Sequence, residues 1–129
     1  MSESTRALFE RYHACWADRD PDRIAALHTP DSIFHLHSGG KPARGRDEIR
    51  AAAAANFALV PDLTFTLVDL RVGADYWTVR WTLTGTSTVG NPVEVDIMDL
   101  VLVADGAVTE KHTYVDGVAM QAALTPPAK

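Results

Sequence analysis

Several residue types are scarce in this chain, and each scarcity argues against a class of protein. The single cysteine, Cys15, excludes an intramolecular disulfide and argues against a cysteine-based zinc site. The net charge is −5 and no basic cluster occurs, so we expect no binding to nucleic acid or to a membrane surface. No apolar run is long enough for a membrane span or a secretion segment, which predicts a cytoplasmic protein.

What the chain does contain is typical of one globular domain. Apolar residues make up 47% of the 129 residues and charged residues 22%, which predicts a single domain over 1–129 with its core at about 5–124. Helical periodicity comes first and strand-like alternation dominates afterwards, with a turn signal at Ser38, Gly39 and Gly40. The predicted helices are 5–17, 21–28, 47–60 and 117–124, and the predicted strands are 33–37, 63–72, 76–87, 93–104 and 108–115.

This order of elements predicts an α+β fold, in which a curved antiparallel sheet wraps around three N-terminal helices. A strongly twisted sheet that curls around helices leaves a pocket between the two layers. Tyr12 lies on the apolar stripe of the first helix, so its side chain is expected to face that pocket.

One residue of the strand VEVDIMDLVLV (93–103) conflicts with its neighbours. Alternate residues of a strand share a face, and on this face five aliphatic side chains accompany Asp99. A carboxylate in a core costs several kcal/mol unless it is paired, hydrogen-bonded or protonated. Asp99 is therefore a candidate functional residue on the pocket side of the sheet.

Three segments make the chain resemble the nuclear transport factor 2-like superfamily, and in particular its SnoaL-like and ketosteroid isomerase-like members. They are RYHACWADRDPDRIAALHTPDSIF (11–34), GRDEI (45–49) and PVEVDIMDLVLVADGAVTEKHTYVDG (92–117). The resemblance implies that Tyr12 and Asp99 form an oxyanion site, with Asp99 held as a neutral acid that donates a hydrogen bond. The alternative is a purely structural hydrogen bond between the two side chains.

The chain also departs from these families at their general bases. Leu36 stands where the isomerases have an aspartate, and Thr113 stands where SnoaL-like cyclases have theirs. A one-residue bulge would bring His35 or His37 to the first position as a general base. The chain also resembles limonene epoxide hydrolases, but it lacks two of the three residues that these enzymes require, which argues against epoxide hydrolysis. Scytalone dehydratase, another superfamily member, uses histidines together with tyrosines, so a dehydratase is a further alternative for this chain.

His35 and His37 share one strand face and could also bind a metal ion or be an exposed polar pair. No third ligand is evident, because His112 is distant in the sequence, so no metal site is predicted. Lys111 shares a strand face with Thr113 and is expected to reach solvent at the open end of the pocket.

Two functions follow as hypotheses. The first is a cofactor-independent isomerase, cyclase or dehydratase that acts on a small apolar carbonyl compound. The second is a binding or accessory protein without chemistry. The resemblance also implies a homodimer through the outer sheet face that carries Arg80, Thr82 and Thr84. The predicted catalytic residues are Tyr12, Asp99, His35 and His37, and the predicted substrate-binding residues are Trp16, Leu36, Phe57, Trp81, Val101 and Thr113.

Overall fold

The structure is a computed structural model that describes residues 4–37 and 40–126, so the turn predicted at Ser38 and Gly39 lies outside the described residues. Side-chain caps fix the start of three of its four helices, because the caps of α1, α2 and α4 each accept a backbone N–H of the first turn. Pro21 at the first turn of α2 has no N–H to satisfy. The helices are α1 (Thr5–Ala17), α2 (Pro21–Ala26), α3 (Gly45–Leu59) and α4 (Gly117–Leu124).

Six strands form one curved, unclosed sheet in the order β2-β1-β6-β5-β4-β3. Neighbouring strands are antiparallel except for β1 and β6, which pair in parallel. The first strand begins earlier than predicted, and the two-residue β2 was not predicted. The strands are β1 (His28–His37), β2 (Ala43–Arg44), β3 (Thr64–Val72), β4 (Tyr76–Thr86), β5 (Pro92–Ala104) and β6 (Ala107–Val115).

The alternation of β4 and β5 decides which face of the sheet is buried. On β4 every second residue from Trp77 to Leu83 is buried, and on β5 every second residue from Val93 to Val103 is buried, Asp99 included. Leu8 and Ile49, from α1 and α3, pack into the same core. The α+β fold with a sheet curved around helices is therefore confirmed. Within the described residues, no helix has the length and apolar character that a membrane span requires.

Candidate functional site

A cavity of about 750 Å³ lies between the concave face of the sheet and the helices. This volume falls in the range of pockets that hold drug-sized ligands. Aromatic and aliphatic side chains from α1, α3, α4 and five of the strands form most of its wall. The side chains with titratable or hydrogen-bonding groups that line the cavity from α1 and the sheet are Tyr12, His13, Trp16, Trp77, Trp81, Asp99, Lys111 and Thr113.

Asp99 reaches the cavity from the middle of β5, where it is only 5% exposed. Both carboxylate oxygens accept a hydrogen bond: Oδ1 from the Thr113 hydroxyl at 2.6 Å and Oδ2 from the Trp81 indole N–H at 3.3 Å. Thr113 is the residue paired directly with Asp99 in the β5–β6 ladder. Both oxygens are thus occupied by donors from the neighbouring strands, which hold the carboxyl group in place at the wall of the cavity.

Lys111 is the second buried ionisable group of the cavity, and the prediction that it reaches solvent is wrong. Its side chain is 5% exposed, and its Nζ lies 4.1 Å from the centre of the Trp16 ring, 5.0 Å from that of Tyr12 and 5.2 Å from that of Phe34. Burial lowers the pKa of Lys111, and the negative charge of Asp99 raises it. The three ring faces stabilise the ammonium form.

Tyr12 does not bond to Asp99. Its hydroxyl oxygen instead lies 2.8 Å from Nε2 of His28, whose Nδ1 lies 2.8 Å from the Ser32 hydroxyl. Burial lowers the pKa of His28 to about 3, helped by the positive charges of Lys111 and Arg46, so the imidazole is neutral near pH 7. In the tautomer with the proton on Nε2, His28 donates to Tyr12, and the tyrosine proton is free to point into the cavity.

The phenol of Tyr12 is held in its protonated form. Burial raises the pKa of Tyr12 well above its ordinary value, and the negative charge of Asp99 acts in the same direction. A protonated phenol at the wall of an apolar cavity is a hydrogen-bond donor for an oxygen atom of a ligand. The donor role that the sequence assigned to Tyr12 is thus compatible with its surroundings.

His13 brings a second base into the cavity one residue after Tyr12. Its ring stacks on Trp81, with ring centres 4.6 Å apart and planes 27° from parallel. Burial lowers its pKa, and the charge of Lys111 lowers it further, so the imidazole is neutral at pH 7. Trp81 therefore contacts His13 with its ring face and Asp99 with its N–H.

The predicted substrate-binding residues divide into two groups. Four line the cavity, namely Trp16, Leu36, Trp81 and Thr113. The other two pack in the core beside it: Val101 is fully buried, and Phe57 lies against Trp16 with ring centres 5.5 Å apart.

His35 and His37 lie outside the cavity, which corrects their predicted place in the site. Phe34 and Leu36 face the cavity, so strand alternation turns the intervening and following residues to the outer face of the sheet. The register of β1 does shift between His28 and Ile33, but this irregularity lies before the histidines and leaves them on the outer face. They meet His112 there.

Three residues of the site were missed from the sequence: Lys111, His13 and His28. The face that Lys111 shares with Thr113 was a usable signal, and expecting its long side chain to reach solvent was the error. His13 is adjacent to Tyr12 and lies at the edge of the apolar stripe of α1, where periodicity is ambiguous. His28 had no signal, because its partner Tyr12 is brought to it only by the packing of α1 on β1.

Comparisons with known proteins agree with this architecture. The family model for the SnoaL-like domain matches residues 9–111. No curated protein matches the chain. Among solved structures, a protein of ketosteroid isomerase-like fold from Catenulispora acidiphila DSM 44928, in complex with trimethylamine, is 19% identical over 96% of each chain with a TM-score of 0.84.

Two further similar structures are candidate polyketide cyclases. One, from Jannaschia sp. CCS1, is 22% identical, covers 97% of this chain and 95% of its own, and has a TM-score of 0.83. The other is IdmH from Streptomyces antibioticus, which is 25% identical, covers 91% of this chain and 95% of its own, and has a TM-score of 0.76.

Proposed function

Because the chain belongs to the SnoaL-like domain family, we propose that it is an enzyme acting on a small, largely apolar carbonyl compound. Its reaction begins with removal of a proton from the carbon next to the carbonyl group, without a cofactor. One observation carries this proposal: a carboxylate, Asp99, and a buried amino group, Lys111, open onto the same apolar cavity. The similarity to polyketide cyclases supports the choice of substrate class.

Lys111 suits the stabilisation of a negatively charged oxygen because its own hydrogen-bonding capacity is unused. Within residues 4–37 and 40–126, its Nζ has no carboxylate within 4.0 Å and donates no hydrogen bond; its contacts are the three aromatic rings. A preorganised cation in a dry cavity stabilises a developing oxyanion more strongly than it would in water. The buried indole N–H of Trp16 makes no hydrogen bond of acceptable geometry within the described chain, although it lies near enough to the Tyr12 hydroxyl to lower the pKa of Tyr12. It is a further donor for a ligand oxygen.

In the proposed reaction the carboxylate of Asp99 takes the proton from the α-carbon, and the electron pair moves through the carbon–carbon bond onto the carbonyl oxygen. The ammonium of Lys111 and the hydroxyl of Tyr12 stabilise this enolate oxygen. The enolate carbon then attacks a second carbonyl of the same molecule, or the enolate is reprotonated at another carbon, or it expels a β-hydroxyl group. In each case Asp99 gives back the proton it took, to the other carbon, to the new alkoxide or to the leaving hydroxyl group.

The competing hypothesis is a binding protein without chemistry. It rests on Leu36 and Thr113, which stand where related enzymes carry their general bases. In our proposal Asp99, the ladder partner of Thr113, takes over that task from the neighbouring strand. Catalysed exchange of an α-proton separates the two hypotheses, because a binding protein does not accelerate it.

Binding of phenols that imitate an enolate tests the site before any substrate is known. We expect the phenolate form to bind, and both Lys111→Met and Tyr12→Phe to weaken its binding by about 10- to 100-fold, since hydrogen bonds to charged groups contribute about 1.5–3 kcal/mol. Asp99→Asn should strengthen binding, because it removes a negative charge from the cavity. Absorbance titration with phenols of graded pKa measures all three effects.

Lys41→Met is the matched control, since Lys41 is exposed on a loop and should leave phenolate binding unchanged. If Asp99→Asn weakens binding instead, Asp99 is the neutral donor of the sequence-based hypothesis and not the base. If the wild type binds no phenolate, the enolate mechanism is wrong.

We also propose a homodimer through the outer face of the sheet. Arg80 and Met98 are ladder partners on this face. Three apolar side chains of the face are exposed: Met98 by 44%, Leu100 by 37% and Tyr114 by 52%. Adjacent exposed apolar side chains of this kind mark interaction surfaces. Light scattering after size exclusion should give twice the chain mass for the wild type and the chain mass for Met98→Glu.

Val118→Glu is the control for this measurement, because Val118 is 85% exposed on α4, away from the outer sheet face. A monomeric wild type at micromolar concentration, or a dimer that persists in Met98→Glu, would contradict the proposed interface.

A further inference from the structure

Three histidines meet on the outer face of the sheet, opposite the cavity. The parallel β1–β6 ladder pairs His35 directly with His112, and His37 follows two residues later on the same face of β1. This arrangement is set by the backbone register, because two residues at i and i+2 on one strand and a third on its neighbour form a compact triangle. His112 is thus the third ligand, whose position next to His35 and His37 could not be predicted from the sequence.

The imidazole nitrogens of this cluster are close enough to share one ligand. One nitrogen from each of the three residues can be chosen so that all lie within 4.8 Å of one another. Nε2 of His37 is 2.9 Å from Nδ1 of His112, and the rings of His35 and His37 are 3.7 Å apart. All three side chains are partly exposed in the single chain, so an ion can reach them there and small side-chain rotations are possible. Because Tyr114 of the proposed dimer interface stacks on His37, the zinc titration is also made with the monomeric Met98→Glu variant, in which no partner covers the cluster.

A carboxylate fixes which nitrogen of His112 carries the proton. Oε1 of Glu110 lies 3.0 Å from Nε2 of His112 and can only accept, so Nε2 donates to it. Nδ1 of His112 is left with its lone pair, which accepts the N–H of His37. A carboxylate on the far nitrogen of a histidine is the arrangement that orients metal-binding imidazoles and increases their basicity.

We propose that His35, His37 and His112 bind one divalent transition-metal ion of the Zn²⁺ class, with Glu110 orienting His112. Three imidazoles without a ligating carboxylate suit Zn²⁺, Ni²⁺ or Cu²⁺ and not Mg²⁺ or Ca²⁺. With Zn–N bonds of about 2.0–2.1 Å the three nitrogens must lie roughly 3.4 Å from each other. The 2.9 Å distance between His37 Nε2 and His112 Nδ1 therefore opens slightly, and the longer separations, which are within 4.8 Å, close. On binding, His37 takes the tautomer with its proton on Nδ1, which frees the lone pair of Nε2 for the metal.

Three protein ligands leave a fourth tetrahedral position for water or an external ligand. The site lies on the other face of the sheet from Asp99 and Lys111, and it does not depend on the function proposed for the cavity.

Zinc titration of the tag-free, chelator-treated full chain tests the site. Competition with a chromophoric chelator should give one Zn²⁺ per chain, and Co²⁺ should give the visible absorbance of a tetrahedral complex. We expect His112→Ala to reduce Zn²⁺ affinity at least about 100-fold and Glu110→Gln to reduce it about 10-fold, as loss of an orienting carboxylate does. His13→Gln removes a histidine of the cavity and should leave the affinity unchanged.

Far-UV circular dichroism checks that each variant is folded, and His35→Asn replaces His112→Ala if the latter does not fold. The proposal is overturned if the wild type does not bind one ion, if binding survives both of these ligand variants, or if His13→Gln lowers the affinity as much as they do.

Discussion

Replacing Asp99 with asparagine is expected to reduce catalysed proton exchange by about 10²- to 10⁴-fold, the usual contribution of a positioned general base. Asparagine keeps the size of the side chain; its oxygen can accept the Trp81 indole N–H while its NH2 group donates to the Thr113 hydroxyl oxygen. It cannot take a proton from carbon, so the loss reports the base and not a collapse of the cavity. The measurement is deuterium uptake at the α-carbon of ketone and 1,3-diketone probes in D₂O, followed by proton NMR.

Asp96→Asn is the matched control for this experiment. Asp96 lies on the same strand but is exposed and accepts a hydrogen bond from Thr82 on the outer side. Its replacement should leave the exchange rate within about twofold, because its side chain lies on the outer face and is not among the residues that line the cavity. Exchange that is equally fast in Asp99→Asn and the wild type would remove Asp99 as the base, and no exchange by the wild type with any probe would favour the binding protein.

The second large effect is a loss of stability in acid caused by His28. Its pKa is lowered from 6.5 to about 3 in the folded chain, mainly by burial. Above pH 6.5 the imidazole is neutral in both the folded and the unfolded chain, and it contributes nothing to the pH dependence. Between pH 6.5 and 3 only the unfolded chain binds the proton, so the free energy of unfolding falls by about 1.4 kcal/mol for each pH unit.

The total contribution of His28 approaches about 5 kcal/mol near pH 3 and then levels off, because both states are protonated below that. This is a large fraction of the stability of a typical domain. Urea unfolding at a series of pH values measures it, and the comparison with His28→Gln isolates it, since contributions from the carboxylates are common to both proteins.

We expect His28→Gln to be less stable than the wild type at pH 7 by about 1–3 kcal/mol, because glutamine cannot keep both the Tyr12 and the Ser32 hydrogen bonds. The difference should shrink and then reverse as the pH falls through 6.5 toward 3. Parallel pH profiles for the two proteins would show that His28 is protonated as readily in the folded chain as in the unfolded one.

Where local physics decides, the sequence predicted the structure well. Asp20-Pro21 and Asp116-Gly117 begin α2 and α4, because a carboxylate cap and the following residues satisfy the first turn without help from the rest of the chain. The period of two in the long strands put Asp99 on the buried face for the same local reason. Tyr12, on the stripe of α1, was likewise expected to face the pocket, and it does.

Contacts between distant segments could not be predicted in this way. Phe34 and Leu36 fixed the inner face of β1, but whether a bulge would turn His35 or His37 inward depended on pairing with β6, which is 75 residues away at the His37–His112 contact. The direction of Lys111 depended on the three rings that surround its amino group, which come from α1 and β1.

The sequence by itself determined the order of the helices and of the five longer strands, the inner face of β4 and β5, and the presence of an acid in an apolar setting. Only the tertiary structure decided the chemistry that this acid can perform. The protonation of Tyr12 and His28 follows from which groups lie beside them after folding. The hydrogen-bonded pairs Tyr12–His28 and Asp99–Trp81 join residues of different elements. The protonation state of a buried ionisable group depends on its burial and on nearby charges, and both arise only when the sheet has packed against the helices.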